Sequence, residues 1–343
     1  MPEGKHDYNL KTFFPLFSTY IYALITDAAS LSYATQAVLR DFAADGVRYL
    51  ELRTTPRATC NPTDGSERLS RESYVRTVLA AITSYEKNDT DRRDQDTLRT
   101  KLILSIDRRD DLPTATETVR LAARLRDEEE DQDQDHPETR GLVVGVDLCG
   151  DPTARTALDP SPRGGVAELT PAFAEARKRG LHVAVHFAES EASGTDEELV
   201  TLLSWRPGRL GHVIWLSDRV KELVRRRGEC GEEEEEEEGG IRGIGLELCL
   251  SCNVLAGMTK GPLAGFAGHH FGEWWGAKGC WVSLGTDDVG VFGSPLSNEY
   301  RLAAEHFNLS NAQVCELASL GIESIFGGEE EKARLRRIMW TSA

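Results

Sequence analysis

The most regular feature of the chain is a short run of apolar, often β-branched residues that ends in polar or charged ones, followed by a stretch of helical periodicity. The runs are GVRYLELRTTP (46–56), KLILSIDRRD (101–110), GLVVGVDLCGDP (141–152), LHVAVHFAES (181–190), RLGHVIWL (209–216), GIGLELCLSCN (243–253) and CWVSLGTDD (280–288), seven in all. Between them lie helix-like stretches such as SYATQAVLRDFAADG (32–46) and ELTPAFAEARKRG (168–180), both closing on a glycine, the residue that best tolerates the left-handed conformation after a helix end. Strands that alternate with helices imply parallel pairing with right-handed crossovers, and continuous apolar strand centres imply burial on both faces.

Each run carries its reactive side chains at its C-terminal end: Arg53, Asp107, Asp147, His186, His212, Glu247 with Asn253, and Asp287 with Asp288. In a closed parallel barrel all those ends open on one face, where the active sites of that fold lie. An open doubly wound sheet would instead carry a glycine-rich phosphate turn after its first strand, and none is present. The expected fold is therefore α/β, a (β/α)8 TIM-type barrel. Such a barrel needs ~8 strands, whereas residues 10–25 read only as aromatic-rich helix. The barrel is expected to be incomplete, with its first strand missing, and residues 1–343 are expected to form one barrel domain.

Composition narrows the class without changing this picture. Hydrophobic residues make up 40% and charged residues 28%, the balance of a globular chain with a sizeable core, and no run is long enough for a membrane span. The N-terminus lacks the basic, apolar and cleavage regions of a secretory signal, and seven scattered cysteines suit reduced thiols better than a disulfide framework. A cytoplasmic protein is expected. The net charge of -17 argues against nucleic-acid partners, but much of it sits in acidic insertions near 127–138 and 229–240, so it leaves open a pocket for a small anion.

The candidate chemistry begins at His186 and Glu189 in HFAE, where an imidazole ends a strand and a carboxyl follows three positions on. A divalent metal takes neutral imidazole, and a nearby carboxylic acid can deliver a proton; a lone strand histidine can equally be a packed core residue. His212 in GHV repeats the arrangement one strand later. Asp287 and Asp288 in GTDD form either a helix N-cap pair or a metal and substrate pair, because adjacent carboxylates are costly unless something neutralises them. Cys249 and Cys252 have metal spacing but no second pair, which favours packed thiols. Arg53, Thr54, Thr55, Arg108 and Arg109 could contact a phosphate or form ion pairs with Asp107 or Asp110. His269 and His270 are either loop residues within reach of a substrate or ordinary surface histidines. Trp274, Trp275 and Trp281 read as core or lid packing.

Taken in order, VVGVDLCGDP, HFAES, GHV, ELCLSCN and SLGTDD resemble the strand-end motifs of the adenosine deaminase family of metal-dependent hydrolases. LELRTTPR, LSIDRRD, HHFGEWW and LSNEYRLAAEHFNLS are similar to the adenosine deaminase-like branch that acts on N6-methyl-AMP. The resemblance implies a Zn2+ ion held by His186 and Asp287, with Glu189 as proton donor to purine N1 and His212 orienting or deprotonating the attacking water. It further implies that Asp288 bonds N7, that the Gly150 backbone bonds N3, and that Thr54, Thr55, Arg108, His269 and His270 surround the rest of a purine nucleotide or nucleoside. A monomer acting on that small molecule is expected, with N6-methyl-AMP giving IMP and methylamine. Adenosine deamination, or an impaired barrel with a binding role, is the alternative. The family opens with a His-x-His strand that supplies two further zinc ligands, and His6 stands alone in this sequence, so weak zinc binding and slow turnover are expected.

Overall fold

All seven apolar runs become strands of one parallel sheet, in chain order. In this computed structural model, which describes residues 9–60, 67–88, 97–131, 141–152, 165–229 and 243–339, they are β1 (Tyr49–Thr54), β2 (Arg99–Asp107), β3 (Val143–Cys149), β4 (His182–Phe187), β5 (Arg209–His212), β6 (Ile244–Leu248) and β7 (Cys280–Leu284). Every strand pairs in parallel with the next, as in Ser105 with Asp147, His186 with Gly211 and Leu248 with Leu284. Apolar strand centres explain the burial: Leu102, Leu104, Val146, Val185, Leu210 and Leu246 are all fully enclosed in the main core. Among the described residues no strand joins β7 to β1, so the α/β barrel is seven-stranded and incomplete, as the apolar pattern predicts.

Side chains on non-neighbouring strands show that the sheet curls. Arg53 on β1 pairs with Glu247 on β6, and Arg209 on β5 pairs with Glu51 on β1. In a flat sheet β1 and β5 would lie ~19 Å apart at the usual strand spacing, well beyond two side chains. Curling brings both faces of the same lumen into contact. Arg209, 4% exposed, also meets Glu247 at 2.9 Å, donates to the Ser324 carbonyl at 3.0 Å and lies 3.6 Å above the Phe326 ring. Higher in the lumen, Arg53 approaches Asp147 at 3.6 Å.

The helices follow their local signals. α1 (Ala28–Ala44) starts at a capping box between Asp27 and Ser30 and is followed by Gly46 at φ +91. α2 (Thr170–Lys178) has Pro171 in its first turn and is followed by Gly180 at φ +71. Residues 10–25 form helical turns, as their aromatic pattern suggests, and Phe13 packs 5.4 Å from Phe292, just past β7. A two-stranded ribbon, Thr59–Cys60 with Glu67–Leu69, carries no sequence signal noted above. The first acidic segment begins inside the helix Leu112–Asp131, and the rest of both segments, together with His6, lies outside the described residues. Trp274 is fully buried and Trp275 stacks on Phe271 at 5.9 Å, so both pack rather than line an opening. No described helix is long and apolar enough to cross a membrane.

The lumen charges generate a stability test. Arg209→Ala should leave the enclosed Glu51 without its guanidinium partner and Glu247 with Arg53 alone, at a cost of about 3–5 kcal/mol in urea unfolding. A loss below about 1 kcal/mol would show that the ion pairs do not brace the curl.

Candidate active site

The carboxyl ends of β4, β5 and β7 are bent by residues held in the left-handed region: Ala188 at φ +53, His212 at +68, Val213 at +47 and Asp287 at +51. That region is costly for any side chain and most of all for a β-branched one, so this strain is concentrated at one mouth. The kinks are locked by backbone bonds from Val213 to the Phe187 carbonyl at 2.9 Å and from Trp215 to the Ala188 carbonyl at 2.9 Å. Each bend turns a side chain inward over the lumen.

The result brings together His186, Glu189, His212 and Asp287. The His186 and His212 rings are 5.2 Å apart, and His212 Nε2 is 4.0 Å from both Glu189 Oε1 and Asp287 Oδ2. These separations exceed a direct hydrogen bond but let one small group touch all three. Glu189 is 3% exposed and its Oε2 has no hydrogen-bond partner in the protein, an expensive state for a structural carboxyl. Asp288 begins the short helix Val289–Phe292 without making a side-chain capping bond, so the N-cap alternative is not realised. Burial first, and the neighbouring Asp287 carboxylate second, push the Asp288 carboxyl well above its ordinary range.

His186 Nδ1 faces the Leu148 carbonyl at 2.8 Å and Asp147 Oδ1 at 3.3 Å. Burial opposes its positive charge, but Asp147 outweighs that and lifts its pKa to about 9. Asp147 is thus a supporting residue that its place at a strand end marked as reactive without revealing its partner. Cys252 is another: its thiol donates to Asp287 Oδ2 at 2.9 Å, and burial followed by Asp287 pushes that thiol upward. Among the described residues no cysteine forms a disulfide, and Cys249 and Cys252 sit in a small apolar cluster with Met258 and Ile214, the packed-thiol alternative.

The other candidates are placed less openly. Gly150 has φ +101, and a Cβ there would meet Asp107 Oδ1 at 2.6 Å, so only glycine fits. Thr54 exchanges a hydroxyl bond with Tyr74 at 2.9 Å, and Thr55 has a 3.5 Å contact with the Cys149 sulfur. Arg108 is enclosed, paired with Glu198 and donating to the His186 carbonyl at 3.0 Å, whereas Arg109 lies outside and holds Asp107 at 2.6 Å. Arg109 realises the ion pair with Asp107, whereas Arg108 pairs with Glu198, a partner outside that expectation. His269 and His270, 2% and 3% exposed, are neither surface nor open-loop residues: they sit behind His212, bonded to Asn253 and to the His212 carbonyl. The surface alternative fails because Phe271 and Trp274, fully buried just after them, hold the segment in the core.

A family model described as adenosine deaminase matches residues 3–340. The chain belongs to the adenosine deaminase family. N6-Methyl-AMP deaminase of Mus musculus is 34% identical over 332 residues, which covers 97% of this chain and 79% of the mouse protein. The crystal structure of the Arabidopsis N6-mAMP deaminase is 30% identical with a TM-score of 0.77, covering 98% of this chain and 85% of that one. Arabidopsis ADAL complexed with IMP gives a TM-score of 0.76 at 30% identity, covering 98% and 84%. The similarity to the N6-methyl-AMP-directed branch read from HHFGEWW and its companion motifs is borne out by these relatives.

Zinc, which the family implies, can be tested against the donors present. His186 can offer Nε2 because Nδ1 is engaged, and Asp287 can offer a carboxylate already bound by a thiol. A catalytic zinc usually takes ~3 protein ligands plus water. Among the described residues no group of three or more His, Cys, Asp or Glu is arranged to hold a metal ion, so these residues alone do not fit a closed zinc site.

Glu189 provides the test of this site. Glu189→Gln removes no protein hydrogen bond at Oε2, so the fold should keep its stability or gain about 1 kcal/mol, the pattern of a functional group held at a structural cost. A calorimetric or urea measurement showing a loss above about 1 kcal/mol would assign Glu189 a structural partner instead.

Proposed function

We propose that this chain is a hydrolytic deaminase acting at C6 of a purine nucleotide, with N6-methyl-AMP as substrate and IMP and methylamine as products. The convergence of Glu189, His212, Asp287 and Asp288 on one kinked mouth carries the reading. The relatives named N6-methyl-AMP deaminase, and the relative bound to IMP, support the nucleotide over plain adenosine.

The chemistry asks for a water oxygen to add at C6, a proton to reach N1 and the C6–N6 bond to break with release of methylamine. Glu189 is assigned the N1 proton, since its Oε2 is enclosed without a protein partner. Purine N7 only accepts hydrogen bonds, so a residue facing it must bring a proton. Burial and the adjacent Asp287 raise the Asp288 pKa, which favours the protonated, donating form there. Gly150 lets the ring approach the backbone, where its N–H faces N3. Thr55 and Arg109 are the phosphate contacts we assign, because Arg109 is exposed although it also pairs with Asp107, whereas Arg108 is enclosed against Glu198.

Zinc is the cofactor we infer from the family, held by His186 and Asp287 with low affinity, since the described residues supply no third ligand. That shortfall favours a second reading, a barrel that binds the nucleotide and turns it over slowly or not at all. A small-molecule nucleotide, with no nucleic-acid or membrane partner, is the proposed ligand in both.

Calorimetry with IMP and N6-methyl-AMP, alongside methylamine release and metal analysis, separates these readings. Nucleotide binding, weakened about tenfold or more by Asp288→Ala, with sub-stoichiometric zinc and slow turnover, is expected. Stoichiometric zinc with fast turnover would overturn the weak-metal inference. Absence of binding to either nucleotide would overturn the deaminase reading.

A further inference from the structure

Behind His212 lies a chain of hydrogen bonds that leaves each member a single choice. The Phe271 backbone N–H donates to His269 Nδ1 at 3.0 Å. A neutral imidazole that accepts at one nitrogen carries its proton on the other. Burial first, then the flanking His270 and His212, keep His269 neutral. Its proton therefore sits on Nε2, which lies 3.1 Å from Asn253 Oδ1 and donates to it.

That bond orients the Asn253 amide. Nδ2 then faces His212 Nδ1 at 3.0 Å, and its second hydrogen meets the Met258 sulfur at 3.5 Å. Thioether sulfur only accepts, so the sulfur independently selects the same amide orientation. His212 Nδ1 must accept, and the one proton of neutral His212 is left on Nε2, the nitrogen that faces Glu189 and Asp287. Asn253 is fully buried and His269 and His212 are 2% and 3% exposed, so water does not compete for these bonds. His270 Nε2 donates to the His212 carbonyl and holds the kinked backbone in place.

We propose that Asn253 and His269 are positioning residues that fix His212 as the Nε2–H tautomer, so that in the resting site His212 donates a hydrogen bond to the reacting oxygen instead of taking its proton. The inference rests on the placement of His212 in the deaminase reading and decides between orienting the water and deprotonating it. Neither positioning residue touches the reacting atoms. Each acts through the imidazole in front of it.

The test is a long-range 1H–15N correlation spectrum of histidine-labelled protein near neutral pH, with the His212 signals assigned from His212→Gln. The wild-type chain should show an unprotonated Nδ1 and a protonated Nε2. Asn253→Asp puts an acceptor against Nδ1 and should move a proton onto it. His269→Leu leaves only the weak Met258 acceptor to orient the Asn253 amide and should mix the two tautomers. His269→Gln, whose amide can still donate to Asn253, should preserve that pattern. A merely structural role would lower the melting temperature in these variants and leave the tautomer unchanged, which overturns the proposal. A wild-type His212 protonated at Nδ1 overturns it without any variant. Because the readout needs no turnover, a correct tautomer with no nucleotide binding would sink the deaminase reading alone.

Discussion

Opposite charges facing one another across the lumen are the constraint on which the rest depends. Arg209 reaches Glu51 from four strands away and Arg53 reaches Glu247 from five, which only a strongly curled sheet allows, and Asp147 joins the same set through Arg53. Burial alone would drive Glu247 toward its neutral form, yet Arg53 and Arg209 outweigh it and hold the carboxyl at about 2. A charge enclosed this way is tolerable only while its partners stay in place. The same set extends to the mouth, because Asp147 contacts both Arg53 and His186. The geometry that closes the lumen thereby fixes the imidazole at its rim.

The alternation of apolar runs and helical stretches made the seven strands and their order legible before any coordinates. Period and polarity report which residues a sheet buries and where each strand ends. The meeting of His186, Glu189, His212 and Asp287 was legible for the same reason, since parallel strands in chain order put their carboxyl ends on one face. Pairings made across loops were not. Arg108 and Glu198 are ninety residues apart, and Cys252 and Asp287 thirty-five, so no local pattern announces either contact. His269 and His270 read as loop residues within reach of a substrate or as surface histidines, and neither reading foresaw their burial. The buried Phe271 and Trp274 beside them were the available signal. Asn253 stood out as a polar strand-end residue, but its role emerges only once Phe271, His269 and His212 line up with it.

Costs are gathered at the mouth and nowhere else in comparable density. Ala188, His212, Val213 and Asp287 occupy the left-handed region, Glu189 keeps an unpartnered oxygen, and Asp288 follows a like charge directly. Each disfavours folding, so the packed strands beneath must offset them. Concentrated strain of this kind is the physical signature of a site kept for use. The backbone kinks of β4, β5 and β7 serve it by aiming side chains at one point that regular strands would have sent to opposite faces.

The adjacent carboxyls show how two chemically identical groups acquire different tasks. Asp287 accepts the Cys252 thiol, which satisfies one of its oxygens. Asp288 has no capping bond, lies in a poorly hydrated position and faces the Asp287 charge, so both cannot ionise cheaply together. This favours the protonated form of Asp288. An acceptor ring nitrogen needs a donor of this kind, while a cation or a polarised water needs the anion beside it. Binding of a purine ring therefore requires less of this mouth than its hydrolysis does, and the two functions can be lost separately.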